Sequence, residues 1–241
     1  MAPVPKTTHA DRTVPGSRSF GEDVVASLAA WKRVPFLPIT SALFAVITIS
    51  NASLVFGRQA DLIALPVGFM AFGWMGTQLV WYRQAFDLER VAPASFIPLT
   101  WSFLARFVWF YGILLFLPLL AVVWVTLARK TFGSQPNGYT IGLLAYVVVA
   151  QMITAFVPQA LAFSTRRVSQ ALRIGLALLT RAWPGNAMYV VAPALVAGVY
   201  GSAYWLLPAQ GRPIYPIASE LLSLLFAGAI ARFYLRAQSA S

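Results

Sequence analysis

The 241-residue chain is 59% hydrophobic and only 10% charged, and its mean hydropathy is +0.71. Because a soluble domain carries about 25% charged residues, this composition excludes an ordinary water-soluble surface and indicates a membrane protein. The net charge of +11 does not indicate nucleic-acid binding, since the basic residues punctuate long apolar runs.

The residue types also exclude most metal and catalytic chemistry. The absence of cysteine excludes disulfides, thiolate metal sites and a cysteine nucleophile. The one histidine, His9, lies in the polar N-terminal segment, so no imidazole is available to ligate a metal, haem or chlorophyll within the membrane. The Walker, G-x-S-x-G and H-E-x-x-H motifs are absent as well. We therefore predict that the chain is not an enzyme and binds no cofactor of its own.

The chain begins with residues 1–21, which contain three prolines and no apolar stretch and so are unlike a signal peptide. We predict a flexible tail here and one transmembrane domain over residues 22–241. Six apolar segments in that domain are long enough to cross a bilayer, which takes about 20 residues. They cover residues 36–57, 62–82, 104–127, 139–163, 186–207 and 216–237. The predicted fold is an all-α, polytopic membrane protein with six transmembrane helices.

The distribution of lysine and arginine predicts how these helices cross the membrane. With the N-terminus in the cytoplasm, 14 of the 18 basic residues fall on the cytoplasmic side, in agreement with the positive-inside rule. Both termini are therefore expected to be cytoplasmic. Arginine outnumbers lysine fifteen to three, which is typical of a GC-rich bacterium, and the predicted location is the bacterial inner membrane.

The segment Ser164–Gly185 (STRRVSQALRIGLALLTRAWPG) carries four arginines and no acid. Drawn as a helix, it has one apolar stripe, formed by Val168, Leu172, Leu176, Leu179 and Trp183. Such a helix lies on a membrane surface, with its stripe in the acyl boundary and its arginines at the phosphates of anionic phospholipids. The residues predicted to bind this surface are Lys32, Arg33, Arg106, Arg166, Arg167, Arg173 and Arg181.

Two other segments, Glu22–Arg33 and Ala94–Arg106, also end in a basic residue just before an apolar span that contains a proline. The three span prolines, Pro38, Pro118 and Pro193, lie 80 and 75 residues apart. This spacing predicts three repeats of a cytoplasmic amphipathic helix followed by a transmembrane hairpin. The alternative is that any array of inner-membrane hairpins alternates basic and apolar stretches.

Three polar residues lie deep in the predicted spans: Asn51, Gln151 and Glu220. Glu220 is the only acid among them, and an intramembrane carboxylate is a candidate for a proton or cation path. The structural alternative is that it pairs with Arg212 or Arg58 near the outer surface and with the positive end of its helix. Side-chain amides between transmembrane helices usually act as hydrogen-bonding contacts.

Small residues recur along the fifth span, where they would let two helices approach closely. The residues predicted to pack in this way are Ala194, Ala197, Gly198, Gly201 and Ser202. Either a helix of the same chain or another subunit could fill that groove. The second span has Gly68, Gly73 and Gly76, which allow similar packing or local flexibility.

Three stretches carry a resemblance to a known family: GWMGTQLVWYRQAF, SFIPLTWSFLARF and QALRIGLALLTRAWPG. They resemble bacterial six-helix integral membrane proteins that are similar to the membrane domain of glycerophosphodiester phosphodiesterases. The resemblance extends over nearly the whole chain after residue 22 and implies a six-helix fold. No catalytic domain accompanies it, so it implies no phosphodiesterase activity.

These observations leave two main hypotheses for function. The first is a non-catalytic structural subunit within a larger membrane complex, such as a respiratory or photosynthetic assembly whose pigments are ligated by other chains. The alternative is a transporter or lipid-handling protein that uses Glu220, Asn51 and Gln151 around a cavity. In that case helix breaks are expected at Pro66, Pro118, Pro158 and Pro193. A membrane enzyme would be a third class and would have to use arginine and glutamate alone.

Overall fold

All regular secondary structure in the described part of the chain is helical, which confirms the predicted all-α class. The computed structural model describes residues 19–48, 60–86, 96–132, 137–183, 185–206 and 214–239. Within these ranges the helices are α1 (Phe20–Arg33), α2 (Phe36–Thr48), α3 (Ala60–Phe86), α4 (Phe96–Phe132), α5 (Asn137–Ile153), α6 (Val157–Phe163), α7 (Val168–Ala182), α8 (Met188–Leu206) and α9 (Ile214–Ser239).

Two segments, Phe96–Leu114 and Ile217–Ser239, are long and apolar enough to cross a membrane. The bent pair Ala145–Ile153 and Val157–Phe163 makes a third if it counts as one span. Phe36–Val46 and Met188–Val199 are apolar helices of shorter length. The described residues thus contain two or three candidate spans, and the complete set of six stays a prediction.

Helix α1 begins at Phe20, two residues before the predicted domain boundary at residue 22. The helix starts there because Ser19 is its N-cap: the backbone N–H of Glu22 donates to the Ser19 hydroxyl at 3.3 Å. Glu22 and Asp23 then lie in the first turn, and Lys32 and Arg33 in the last, so both ends carry the charges that the helix dipole favours. The rest of the predicted tail, residues 1–18, lies outside the described residues.

Helix α4 corrects the prediction of a separate surface helix at Ala94–Arg106. Residues from Phe96 onward form one continuous helix of 37 residues that also contains the third predicted span. Pro98 does not interrupt it, since a proline in the first helical turn costs no intrahelical hydrogen bond. The second of the three predicted repeats therefore has no separate amphipathic helix, unlike the first (α1) and the third (α7).

Close helix packing explains two of the glycines of α3. A Cβ atom on Gly73 would lie 2.3 Å from the carbonyl oxygen of Thr100, and one on Gly76 would lie 2.3 Å from the ring of Phe103. Both contacts are with α4, so only glycine permits this approach. The other extensive contacts join α5 to α8 and bring α9 against α1, α2, α3 and α8.

The fourth predicted span is broken into α5 and α6, whose axes differ by 43°. The chain turns at Thr154–Phe156, and Pro158 lies in the first turn of α6. A proline there cannot donate the backbone hydrogen bond that would continue α5 through the turn. The Thr154 hydroxyl instead donates to the carbonyl oxygen of Ala150 at 2.7 Å and closes the end of α5.

Candidate ligand cavity and the polar anchor at the basic end

A cavity of about 140 Å³ lies where α3, α4, α8 and α9 meet the break between α5 and α6. We call it the Glu220 cavity. The polar residues that line it are Gln78, Tyr111, Gln151, Gln159, Glu220 and Ser223. The remaining lining is apolar and includes Pro158 and Pro193. Of the four prolines predicted as helix breaks, Pro158 lies at one, whereas α3, α4 and α8 run through Pro66, Pro118 and Pro193, so those three predictions are wrong.

The side chain of Gln78, on α3, is held in place by a hydrogen bond to a buried serine of α2. Its side-chain amide nitrogen donates to the Ser41 hydroxyl at 2.5 Å, and the indole N–H of Trp74 donates to the same hydroxyl at 3.3 Å. Ser41 and Trp74 are both buried. One of the two N–H groups of the Gln78 amide is therefore used by Ser41 of α2, and its oxygen and its second N–H remain.

Gln159 has a buried acceptor without a partner in the described part of the chain. The residue is 2% exposed, and no described group donates to its side-chain oxygen. An unsatisfied buried polar atom costs about 1–3 kcal/mol. The oxygen itself has almost no accessible surface, so the side-chain amide must turn toward the cavity before it can accept a hydrogen bond from a ligand.

Glu220 lies in the second turn of α9 and is the one carboxylate in the described lining of the cavity. No lysine or arginine of the described residues lies within 4 Å of its carboxylate. The two predicted partners, Arg58 and Arg212, lie outside those residues. Its neighbours in the lining are instead the carboxamides and the Tyr111 hydroxyl, which are neutral polar groups.

The cavity therefore brings together two of the three predicted intramembrane polar residues, Gln151 and Glu220. The third, Asn51, lies outside the described residues. Gln78 and Gln159 were missed, although both fall inside predicted spans. The criterion that selected Gln151, a carboxamide within an apolar span, would have selected them too.

Two of the small residues of the fifth predicted span pack within the same chain. Ala194 is buried, and a Cβ atom on Gly198 would lie 3.1 Å from the side chain of Val148 on α5. This part of the groove is filled by a helix of the same chain. Ala197 is half-buried, and the surroundings of Gly201 and Ser202 are outside the described part.

A second polar cluster lies at the far end of α9, about 24 Å along the helix from Glu220 at a rise of 1.5 Å per residue. We call it the Asp23 anchor, and it consists of Asp23, Tyr189, Arg232 and Arg236. Asp23 is fully buried and accepts hydrogen bonds from both Arg236 amino groups, one of them at 2.6 Å, and from the Tyr189 hydroxyl at 2.5 Å. Arg232 lies 3.4 Å away. The anchor ties α1 to α8 and α9.

The predicted membrane-surface residues have two kinds of environment. Lys32, Arg166, Arg167, Arg173 and Arg181 are exposed. Arg33 instead donates to the carbonyl oxygen of Ala85 at 2.9 Å, at the end of α3. Arg106 is part-buried, 3.5 Å from the carbonyl oxygen of Leu161 and over the ring of Phe103.

The apolar stripe of α7 is only partly as predicted. The residues fully buried against the bundle are Ala171, Gly175 and Ala182, because their small size lets α7 pack directly on α6. A Cβ atom on Gly175 would lie 2.7 Å from the side chain of Val157. Of the predicted stripe, Val168, Leu172 and Leu179 are half-buried against the core, and only Leu176 and Trp183 are exposed, at 41% and 51%. The apolar surface left for lipid is therefore smaller than the sequence predicts.

No protein-family model, curated protein or solved structure matches this chain. The resemblance to six-helix bacterial membrane proteins stays a prediction. The function is therefore argued from the geometry of the Glu220 cavity and the Asp23 anchor.

Proposed function

We propose that this protein is a membrane transporter that binds a small polar solute in the Glu220 cavity. The observation that carries the proposal is the convergence of Glu220 with three glutamines on one cavity at a broken helix. Polar groups inside a membrane are costly and usually mark a pathway or a site. Many transporters bind their substrates between helices that are interrupted near the middle of the bilayer.

The proposed topology has six transmembrane helices: α2, α3, α4, the bent pair α5–α6, α8 and α9. Two arginines that contact other helices support the proposal that the basic residues gather at one end of the bundle. Arg33 of α1 reaches the end of α3, and Arg236 of α9 reaches Asp23 of α1. By the positive-inside rule this end is cytoplasmic, which gives both termini a cytoplasmic location in a bacterial inner membrane.

Helix α7 is proposed to contact anionic phospholipid at that end. Arg173 and Arg181 are exposed, and so are the apolar residues Leu176 and Trp183. An exposed apolar side beside exposed arginines fits the boundary between acyl chains and phosphates. This contact would hold the cytoplasmic side of the bundle at the lipid surface.

The transport proposal is tested with purified protein reconstituted in vesicles. Uptake of radiolabelled solutes is measured for guanidinium, methylammonium, tetramethylammonium, urea and acetate, which are small and differ in charge and hydrogen-bonding groups. We expect at least one solute to enter wild-type vesicles and Glu220→Gln to abolish that uptake. Glu22→Gln, which changes an exposed acid of α1, is the matched control. If none of the five solutes enters faster than in protein-free vesicles, the proposal is wrong.

A structural subunit is the second candidate, and the exposed side of α4 favours it. Ile97, Trp101, Trp109 and Ile113 recur every four or eight residues and are 58–69% exposed. Trp109 lies within the candidate span, whereas tryptophan prefers the membrane interface. A helix of a partner subunit packed along this row would cover it. Mild detergent extraction, sizing and mass spectrometry test this candidate, since a stoichiometric partner supports it and a particle of one or two chains contradicts it.

A further inference from the structure

We infer that the Glu220 cavity is selective for a small monovalent organic cation that carries N–H donors, of the size of guanidinium or methylammonium. This inference rests on the proposed transport function and specifies its substrate class. It follows from three properties of the cavity wall: its charge, its hydrogen-bonding groups and its volume.

The charge of the described wall favours a cation. Glu220 is the one carboxylate in it, and no lysine, arginine or histidine accompanies it. A carboxylate away from water needs an opposite charge or hydrogen-bond donors to offset the loss of hydration. A monovalent cation supplies that charge, whereas an anion would be repelled. A divalent metal is disfavoured, because the single carboxylate of the described wall leaves one of its two charges uncompensated away from water.

The hydrogen-bonding groups of the wall favour a ligand that donates. The buried oxygen of Gln159 has no donor among the described residues. One N–H of the Gln78 amide is used by Ser41, and the amide oxygen is available as an acceptor. Together with the carboxylate of Glu220, these oxygens match N–H groups. A quaternary ammonium ion has the charge but no donor, so it would leave the Gln159 oxygen unpaired.

The volume limits the ligand to a few atoms. The cavity measures about 140 Å³, close to the roughly 150 Å³ engineered cavity that admits benzene. A ligand of about six non-hydrogen atoms or fewer is therefore accommodated without movement of the helices. Guanidinium and methylammonium are within that limit, while an amino acid with a long side chain is not.

The test measures equilibrium binding of the same solutes to wild-type protein in detergent micelles. Guanidinium and urea are matched in size and shape but differ in charge, and methylammonium and tetramethylammonium are matched in charge but differ in donors. We expect guanidinium and methylammonium to bind, and urea and tetramethylammonium to bind at least about tenfold more weakly, since each lacks one of the required interactions.

Two variants tie the binding to the cavity. Glu220→Gln is expected to weaken guanidinium binding about thirtyfold or more, and Gln159→Leu by about tenfold, while Glu22→Gln leaves it unchanged. Sizing and thermal unfolding show whether each variant is folded. If the Glu220 variant does not fold, the Gln159 variant still tests the inference.

The outcomes separate the substrate class from the transport function. If urea, tetramethylammonium or acetate binds as tightly as guanidinium and enters the vesicles, the cation class is wrong and the transport function stands. If guanidinium binds equally well to wild-type protein and to both cavity variants, the site is elsewhere and the inference is overturned. If no solute binds or enters, both proposals fail.

Discussion

The carboxylates of Asp23 and Glu220 both lie within the helical bundle, but their hydrogen-bonding and ionic partners differ. Asp23 is fully buried and is hydrogen-bonded by Arg236 and Tyr189, with Arg232 nearby. Glu220 lines a cavity and has no basic partner among the described residues. A carboxylate that is completely paired stabilises one arrangement of helices and is closed to ligands. A carboxylate that is not paired is available to bind, at some cost in stability.

The two sites also differ in what their neighbours contribute. Around Asp23, the partners come from α8 and α9 and hydrogen-bond directly to the carboxylate. Around Glu220, Pro158 of α6 and Pro193 of α8 line a cavity together with the polar groups. This comparison predicts that substitutions at the anchor change stability, and that substitutions at the cavity change binding.

Asp23→Asn should have the largest effect on stability. The substitution removes the charge that pairs with Arg236 and Arg232, and breaking a buried ion pair costs about 3 kcal/mol or more. The free energy of unfolding in mixed detergent micelles, followed by tryptophan fluorescence, measures this loss. The neighbouring exposed acid provides the control, since Glu22→Gln should change stability by no more than about 0.5 kcal/mol. Equal stability of the two variants would contradict the anchor.

Tyr82→Phe should have the next largest effect, because its hydroxyl joins α1 to α9. It accepts from the indole N–H of Trp31 at 2.6 Å and donates to the carbonyl oxygen of Leu224 at 3.0 Å. Leu224 also lines the Glu220 cavity. Loss of the hydroxyl removes the acceptor of the part-buried Trp31 indole N–H and one of the hydrogen bonds to the Leu224 carbonyl, and we expect unfolding to become easier by about 2 kcal/mol. The same unfolding measurement applies, and a loss below that of Tyr189→Phe would contradict the predicted order.

Tyr189→Phe should cost less, about 1 kcal/mol. The substitution removes one hydrogen bond to Asp23 at 2.5 Å but leaves Arg236 in place. The ring keeps its stacking on Phe233, with centroids 4.4 Å apart. Unfolding of the Asp23→Asn and Tyr189→Phe variants and of the double variant measures the coupling. If the two losses are additive, Tyr189 does not act through Asp23.

Polar residues within apolar segments can be recognised from the sequence, but the contacts between helices cannot. Gln151 and Glu220 were identified because polar residues stand out in an apolar segment, and the same reasoning extends to Gln78 and Gln159. Asp23 was not identified, since its partners lie 166 and 213 positions away. One sequence does not determine which helices are neighbours, so the first-turn acids of α1 look like ordinary helix-dipole charges.

Helix α4 illustrates the other limit of sequence reasoning. Arg106 was taken to mark the boundary between a surface helix and a transmembrane span. The helix runs through it because Arg106 is accommodated over the ring of Phe103 and near the carbonyl oxygen of Leu161. A single arginine therefore does not end a helix when other parts of the fold provide a site for its charge.

Glu220→Gln should have the smallest effect on stability and is the most informative of these substitutions. Glutamine has nearly the same size and removes a charge that has no basic partner in the described bundle, so we expect the free energy of unfolding to stay within about 0.5 kcal/mol of wild type or to rise. Guanidinium binding should be lost in the same variant. A loss of stability near that of Asp23→Asn would mean that Glu220 is paired as Asp23 is, and the contrast between the two carboxylates would disappear. If the variant keeps its stability but loses binding, Glu220 acts in ligand recognition. Substitution of a purely structural carboxylate would instead lower both stability and binding, or neither.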